Sequence, residues 1–431
     1  LVPILINFQT PLCLTLLLGA FSFGSVASND QPLQDYADKP AADETDISKS
    51  TDNKNTVKEN DTLLETILVT ANRKQTQLKE IPFSISAVSG EDLDTIQHVH
   101  INEALARIPG TWISRGNGQE SLTAIRSPVL TGAGSCGAFQ FSVDSIPLRA
   151  AGLCNVNQLF EANSEQAQSI EIIRGPSSVL YGANAIHGSI NIISGNSLNT
   201  LANQLDQNTK RASEASISLD AGPHGYSRVK TSTAVVSGNH GVQVNINGTH
   251  DDGYKDESGF DLQKMLLKHR AVTGEREITT TFSYTNLNQE TAGFIKGHDS
   301  YKESGQKRDN PNPEAYRDAR SFRLVSEIDQ QLGKGSLVLK PYLRHVEMKF
   351  LQHYLPGQAI EENGHDSVGV SMLWNPDSWW QAGVDLEYTN AFLKETQPGP
   401  TQGGAFLMAT IPQGKHYDYD VNASLAGLFF S

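Results

Sequence analysis

A glycine-rich stretch at residues 132–137 is the first pattern in this 431-residue chain that could bind a cofactor. Its spacing fits G-x-G-x-x-G, the fingerprint of dinucleotide-binding loops. In those loops the glycines lead directly into a helix, whose N-terminus holds the pyrophosphate. Here Phe139, Phe141 and Val143 alternate in the manner of a strand. We therefore expect a loop without a bound dinucleotide, and we predict no other cofactor.

Two further sets of residues have the chemistry of metal ligands. Residues 251–261 are rich in carboxylates, which suggests calcium, but their spacing does not follow the EF-hand loop and favours a solvated loop. Scattered histidines could ligate haem iron or another metal. Lone histidines on polar loops are usually exposed, so we expect no metal site. The residues concerned are Asp251, Asp252, Asp256, Glu257 and Asp261, and His98, His100, His187, His353 and His365.

Composition narrows the class of protein. The chain has no H-E-x-x-H, no G-x-S-x-G and no paired C-x-x-C, so we predict no catalytic residues and no enzyme. Lys plus Arg number 34 and Asp plus Glu 48, and the formal net charge of −14 argues against nucleic acid as a partner. A mean hydropathy of −0.36 excludes a bundle of membrane helices. It does not exclude a membrane β-barrel, because barrel strands alternate in polarity.

The first 27 residues have the features of a secretory signal peptide. An apolar run at 12–23 is followed by small residues at 24–27, where a signal peptidase could cut. A buried helix is the alternative, and the absence of a starting Met leads us to expect further residues upstream. Export would place Cys136 and Cys154 in a compartment that permits disulfides. We expect the two to pair, with two free buried thiols as the alternative.

Residues 28–64 are polar and almost without aromatic side chains, which predicts a flexible spacer. The spacer leads into a short run that is rich in β-branched residues. Such a run could add as a strand to the sheet edge of another protein, or it could be an edge strand of the following domain. It consists of Glu65, Thr66, Ile67, Leu68, Val69, Thr70 and Ala71.

Residues 73–193 carry a series of short motifs. They are I-P-F-S-I-S at 81–86, E-A-L-A-R-I-P-G at 103–110, V-D-S-I-P at 143–147, and I-E-I-I-R-G-P at 170–176 followed by L-Y-G-A-N-A-I-H-G-S-I-N-I at 180–192. Their combination closely resembles the plug domain of TonB-dependent outer-membrane receptors. The resemblance implies a plug over residues 72–199 and identifies residues 65–71 as a TonB box, the segment that binds the protein TonB.

We expect the motif residues to be mainly architectural. Residues 101–108 should form a short helix that ends at the following Pro-Gly, and Arg174 should bond carbonyls or a wall carboxylate rather than a substrate. Ser127 and Ser145 stand where the family usually has glycine, which could strain the local turns. The motif residues that we single out are Arg126, Asp144, Arg174, Gly175, Pro176, Tyr181, Gly182 and Gly188.

Alternation such as Val242, Val244 and Ile246 predicts about ten strands between Glu214 and the end of the chain. We predict long connections at 251–261, 288–320, 351–366 and 392–415, and short ones at 272–276, 332–335 and 375–378. Outer-membrane barrels alternate short periplasmic turns with long outer loops. Residues 200–431 are therefore predicted to be barrel strands, with a soluble sandwich or propeller as the alternative.

The predicted fold class is thus an α+β plug inside a transmembrane antiparallel β-barrel. The resemblance implies a barrel of roughly 22 strands, the size whose lumen holds a plug. With about ten strands predicted, we expect residues 200–431 to be a partial barrel and the chain to be a fragment of a longer protein.

The resemblance implies an outer-membrane receptor for active transport, most often of a ferric siderophore. Its expected partners are TonB with its inner-membrane energy-coupling complex, outer-membrane lipids and a small ligand such as an iron chelate, and we expect a monomer. Haem, cobalamin and oligosaccharides are the alternative ligands. A passive porin would have neither box nor plug, and a signal-transducing receptor would need a folded domain before the box. A nonfunctional remnant of a receptor is the third alternative.

Overall fold

The computed structural model describes residues 84–129, 136–155, 157–177, 181–182, 184–205, 209–376 and 380–430, and the backbone of two short strands before them. The predicted signal peptide and spacer lie outside the described residues, as do Glu65, Thr66, Ile67, Thr70 and Ala71 of the predicted box. Among the described residues, no helix is both long and apolar enough to cross a membrane.

The elements before residue 205 are short. They are β1 Leu68–Val69, β2 Thr76–Gln77, β3 Ile85–Ser89, α1 Gly90–Ile96, α2 Ile101–Leu105, β4 Thr111–Arg115, β5 Ser121–Ile125, β6 Phe139–Val143, β7 Ile146–Pro147, β8 Ala167–Arg174, β9 Gly188–Ser194 and α3 Leu198–Ala202. The 3₁₀ turns Gln158–Glu161 and Ser164–Gln166 precede β8. We refer to residues 84–205 as the plug.

A five-stranded sheet in the order β3-β8-β9-β6-β7 forms the centre of the plug. Ile170 and Ile172 of β8 and Ile190 and Ile192 of β9 are fully buried, which accounts for the isoleucine-rich motifs there. Neighbouring strands are antiparallel except for β6 and β9, which are parallel. The predicted helix at 101–108 is confirmed as α2, which ends earlier, at Leu105.

Local sequence explains where α1 begins. Ser89 and Asp92 form a capping box, in which each residue's side chain accepts a hydrogen bond from the other's backbone N–H. This arrangement satisfies donors at the helix start that would otherwise lack partners. The helix ends at Gln97, whose φ of 48° is left-handed. The next residues therefore turn away toward α2.

Ten antiparallel strands follow in sequence order as one sheet, which we call the wall. They are β10 Arg211–Ala221, β11 Ser227–Ser237, β12 His240–Asp251, β13 Phe260–Thr273, β14 Arg276–Glu290, β15 Tyr316–Leu332, β16 Gly335–Leu351, β17 Ile360–Asn375, β18 Ala382–Gln397 and β19 Gly414–Phe430. Helix α4, Ala405–Thr410, lies in the last connection. The predicted number of strands is confirmed, and β10 and β19 are the two edges of the described sheet.

The connections alternate in length as predicted. The long ones, 252–259, 291–315, 352–359 and 398–413, meet at one end of the wall, which we call the loop end; 238–239, 274–275, 333–334 and 376–381 meet at the turn end. Several long connections are shorter than predicted because strand pairing continues through polar residues. Glu362, for example, pairs with Lys349 and Lys394 inside the region predicted as a loop.

The two faces of the wall have different partners. Alternate residues such as Arg323 and Val325 of β15 are buried, whereas Phe322 and Leu324 between them are exposed. The buried face contacts the plug, as when Arg323 Nη2 donates a hydrogen bond to the carbonyl of Val143. The plug therefore lies against the inner face, and the outer face is largely apolar.

Candidate functional site

An open cleft of about 870 Å³ lies at the loop end, between the plug and two connections of the wall. The plug contributes Gln97, Glu103 and the segment 115–118, while the wall contributes segments 219–226 and 251–260. Asn117 Nδ2 donates a hydrogen bond of 2.9 Å to the carbonyl of Ala292 and so fixes the plug beneath the longest connection. A cleft of this size between rigid elements can enclose a small-molecule ligand.

The lining of the cleft combines charge with aromatic surface. Glu103 and Arg115 of the plug form an ion pair at 3.5 Å. His224 and Tyr254 pack edge to face with ring centroids 5.2 Å apart. Tyr226 is nine-tenths buried, and its hydroxyl has no hydrogen-bond partner among the described residues. That hydroxyl is closed to solvent, and it would gain free energy if a ligand entering the cleft reached it, because a buried polar group without a partner is costly.

The motif arginines lie together at the opposite side of the plug, next to β3. Arg174 donates to the carbonyl of Pro109 at 2.8 Å and to Ser86 Oγ at 2.9 Å. Arg126 donates to the carbonyl of Arg174 and to Ser84 Oγ, both at 3.3 Å. The two guanidiniums therefore join the first strand of the plug to its centre, and neither lines the cleft.

The glycine-containing motif after β8 turns the chain toward the wall at the turn end. Gly188 has a φ of 152°, and a Cβ there would lie 2.2 Å from the carbonyl oxygen of Ile173, so only glycine fits. Gly175 and Gly182 also have positive φ, and Pro176 directly follows Gly175. Tyr181 is buried in a cluster with Ile173, Ala185, Leu373 and Phe429.

Asp144 lies in the tight turn between β6 and β7. Its carboxylate accepts hydrogen bonds from the backbone N–H and the hydroxyl of Ser194, at 3.0 and 2.6 Å. Burial alone would raise the pKa of Asp144, but Lys268 of the wall and the Ser194 hydrogen bonds outweigh it and leave the pKa below its ordinary value. Lys268 also donates to Ser194 Oγ at 2.9 Å. Asp144 is thus one of the points at which wall and plug are joined.

The strain expected at Ser127 and Ser145 can be compared with their backbone φ angles, and only one of the two serines has a positive φ. Asp144 and Ser145 both have left-handed backbones, with φ of 52° and 68°, as a two-residue turn of type I′ requires. Ser127 does not have a positive φ, whereas its neighbour Arg126 does, at 47°. Of the two serines, only Ser145 therefore occupies a conformation that favours glycine.

Cys136 and Cys154 are joined by a disulfide with Cα atoms 6.1 Å apart. The loop that it closes carries β6, β7 and the carbonyls of Pro147 and Leu148, to which Arg344 of the wall donates. The disulfide therefore encloses a segment that the wall holds directly. Of the glycine-rich stretch before it, residues 132–135 lie outside the described residues.

Inward-facing cations of the wall hold the plug, and sequence analysis did not identify them. Lys264 Nζ lies 3.0 Å from both carboxylate oxygens of Glu165 and donates to the carbonyl of Ala162 at 2.7 Å. Arg228 donates to the carbonyl of His98 at 2.6 Å. In the sequence, each of these cations appears only as a basic residue at an inward position of a predicted strand. That position does not show which residue the cation contacts.

The candidate metal ligands do not come together in the described part of the chain, where no group of three His, Cys, Asp or Glu side chains could hold a metal ion. His98 shares a hydrogen bond with Ser164, and His100 shares one with Asn102. Burial lowers the pKa of both histidines to about 4. In the acidic loop, Asp252 and Asp261 both contact His250 rather than each other.

Comparison with a family model gives a match over residues 77–189, described as the TonB-dependent Receptor Plug Domain. The matched segment includes the central sheet of the plug from β3 to the start of β9.

Solved structures of similar fold extend the likeness to the wall. The ferripyoverdine receptor of the outer membrane of Pseudomonas aeruginosa matches 84% of this chain at 12% identity with a TM-score of 0.62. The ferric citrate transporter FecA matches 81% of this chain at 13% identity with a TM-score of 0.63. The ferric yersiniabactin uptake receptor FyuA from Yersinia pestis matches 73% of this chain at 16% identity with a TM-score of 0.56. At these identities the likeness is one of fold.

The chain spans about half the length of these structures, covering 51%, 53% and 49% of them respectively. The plug and the ten-stranded antiparallel wall are the two parts in which the fold predicted from sequence is confirmed.

Proposed function

We propose that this chain, which belongs to the TonB-dependent receptors of the bacterial outer membrane, is an active-transport receptor for a scarce ligand, in the first place a ferric siderophore. The observation that carries the proposal is the position of the plug, which lies on the inner face of the wall with its cleft at the loop end. In this proposal the ligand binds in the cleft, and the receptor carries out no chemistry on it.

Three fold relatives support a ferric chelate as the ligand, since their names state ferripyoverdine, ferric citrate and ferric yersiniabactin. The cleft offers the His224–Tyr254 ring pair and the Glu103–Arg115 ion pair to such a ligand, and the unpaired Tyr226 hydroxyl lies buried in its wall. Haem, cobalamin and oligosaccharides are the competing ligands.

A binding panel tests the ligand class. Purified full-length receptor is titrated with ferric hydroxamate, ferric catecholate, ferric citrate, haem and cobalamin, and tryptophan fluorescence is followed. We expect one ferric chelate to bind, and Tyr226→Phe to weaken that binding by roughly tenfold, the effect of one lost hydrogen bond. Saturable binding of haem or cobalamin alone would contradict the siderophore proposal. Deleting the full-length gene and measuring growth under iron limitation tests the same proposal in the cell.

We further propose that residues 65–71 pair as a strand with TonB in the periplasm. Leu68 and Val69 already have strand backbone and pair with Gln77 and Thr76 within the chain. The same backbone groups could form a ladder with another protein, which is recognition by strand addition. In the proposed cycle, ligand binding releases this segment, and force supplied by the inner-membrane proton gradient then rearranges the plug.

The box is tested by a pull-down with the C-terminal domain of TonB. Ile67→Pro should abolish binding, because proline cannot donate to a strand ladder and clashes within one. Asp61→Pro, in the predicted spacer, is the matched control and should leave binding intact. If the Ile67→Pro receptor binds TonB as well as the unchanged chain, residues 65–71 are not the box.

We propose a monomer surrounded by outer-membrane lipid, in agreement with the apolar outer face of the wall. A nonfunctional remnant is the competing hypothesis, and electrophoresis with and without heating distinguishes the two. A receptor that forms a closed barrel migrates differently before and after heating, and a remnant that does not form one migrates identically.

A further inference from the structure

Glu161 is a carboxylate of the plug that is buried at the wall without a hydrogen-bond partner. It is the last residue of the 3₁₀ turn Gln158–Glu161 and is only 4% exposed. Both of its carboxylate oxygens are buried, and neither makes a hydrogen bond to the described residues. Burial of a charged carboxylate without partners is costly, so the neutral form is favoured here.

A small cavity of about 30 Å³ lies beside Glu161, between plug and wall, and both polar and apolar side chains line it. The plug lines it with Asp144 and Ser194, and the wall lines it with Lys264, Thr285 and Arg323. Each buried water needs roughly 10–15 Å³ of such space and two or more polar partners. The cavity therefore has room for about two water molecules.

Two guanidiniums of the wall face Glu161, and the hydrogen bonds that they make go to other groups. The Nε of each guanidinium makes no hydrogen bond to the described residues. Arg344 forms an ion pair with Glu387 at 2.7 Å and donates to two plug carbonyls. Arg323 Nη2 donates to the carbonyl of Val143. Burial raises the pKa of Glu161 to about 7, although Arg323, Arg344 and the nearby Gln158 act in the opposite direction.

Glu165, in the next 3₁₀ turn, is in the opposite situation. It is as deeply buried as Glu161, but both of its oxygens accept hydrogen bonds from Lys264 at 3.0 Å. Burial would raise the pKa of Glu165, yet Lys264, together with His98, outweighs burial and lowers it to about 2. The two glutamates thus provide a matched pair, one without a partner and one fully paired.

We propose that Glu161 and the adjacent cavity form a proton-binding site at the plug–wall interface, and that the bound proton keeps the plug tightly seated against the wall. When the plug moves away, Glu161 meets water and its O–H bond breaks, so that the proton passes to the solvent. This site goes beyond the proposed transport function, because it needs neither ligand nor TonB.

The sign of the pH dependence follows from linkage. The pKa of Glu161 is about 7 when the plug is seated, and its ordinary pKa of 4.5 applies when the residue is in water. A group whose pKa is raised in the seated state stabilises that state while it is protonated. For Glu161 this stabilisation is fully present below pH 4.5 and is lost as the pH rises through about 7. The plug should therefore loosen between weakly acidic and weakly alkaline pH.

The test is hydrogen–deuterium exchange of the full chain in detergent micelles, followed over residues 158–174. Each variant is compared with the unchanged chain at the same pH. Glu161→Gln, which stays neutral, should slow exchange relative to the unchanged chain. This protection should grow by a factor on the order of 30 from about pH 5.5 to about pH 8. Glu165→Gln is the control, and it should speed exchange by a factor that does not change over this interval.

Two results would overturn the proposal. One is a Glu161→Gln effect that is independent of pH. The other is faster exchange in Glu161→Gln at pH 8, which would mean that charged Glu161 forms a favourable ion pair with Arg323 or Arg344. Glu161→Leu serves as a second neutral variant with the same expected trend. If neither neutral variant folds, the proposal also fails, because it requires an uncharged side chain to be tolerated.

Discussion

The Arg344 guanidinium joins wall and plug at a point closed to solvent. Its side chain is 0% exposed, and its partner Glu387 is 5% exposed. Glu387 also accepts hydrogen bonds from Tyr342 and from the backbone N–H of Ala151. Arg344→Met would leave the Glu387 charge buried without its cation, and we expect it to lower the free energy of unfolding by about 3–5 kcal/mol.

Urea unfolding of the purified chain in micelles measures this loss. Arg320→Met is the matched control, because Arg320 is 62% exposed and lies 3.8 Å from Glu347. We expect the control to change the unfolding free energy by less than about 1 kcal/mol. Equal effects of the two variants would show that the buried pair does not hold the plug.

Ser145 offers a second test at single-residue scale. Its φ of 68° lies in the left-handed region, which disfavours residues that carry a Cβ. Ser145→Gly should therefore raise the free energy of unfolding by up to about 1 kcal/mol. Ser127→Gly is the control without a left-handed backbone and should lower it by about 0.5–1 kcal/mol through chain entropy. Thermal unfolding of both variants checks that the free energy of unfolding changes in opposite directions.

The sequence predicted which single residues matter, but it did not predict which residues they contact. The motif picked out Asp144 and Arg174, yet their hydrogen bonds reach Ser194 and Pro109, which are 50 and 65 positions away. Nothing local in the sequence encodes such pairs. In the sequence, Lys264 and Arg344 of the wall are recognisable only as polar residues at inward positions of alternating strands. Such a residue could equally well contact water or the plug.

At the scale of elements, the disulfide determines how firmly the segment from Cys136 to Cys154 is held. The two residues are 18 positions apart, and closing a loop of this size stabilises a fold by about 3 kcal/mol in the chain-entropy account. Replacing both cysteines with serine should lower the unfolding free energy by about that amount. Adding reductant to the unchanged chain should have the same effect and should leave the double variant unaffected, as thermal unfolding would show. A reductant effect of equal size on both chains would contradict this origin.

The strands were more predictable than their ends. Alternation identified ten strands because one face of the wall meets the plug and the other is apolar. Toward the loop end both faces become polar, as at Glu361 and Glu362, and the alternation disappears although pairing continues from Ile360. The predicted loop at 351–366 was therefore too long, and the true connection is 352–359.

Across the whole molecule, the pairing register places outward residues in rows around the wall. Leu324, Leu343, Val368 and Tyr388 form one such row. Two positions nearer the loop end, the row is still apolar at Phe322 of β15, but from β16 to β19 it is polar, at His345, Asp366, Asn390 and Asn422. Toward the turn end it stays apolar through Leu386, Val384 and Leu428 to Phe430. From β16 to β19 the outer face thus has an apolar band that ends before the loop end, as a wall that meets lipid requires.

The band makes a prediction that no single contact could make. Leu386 is 46% exposed and lies in the middle of the apolar band, so Leu386→Arg would place a charge in the hydrocarbon region. We expect a loss of about 2–4 kcal/mol in the free energy of folding into lipid vesicles. Asn390→Arg, on the same strand and in the polar row, should cost no more than about 1 kcal/mol, because it lies near the interface. Urea titration of vesicle-folded protein measures both. Since both variants add the same side chain to the same strand, a difference between them reports depth in the membrane, whereas equal losses would place the band outside it.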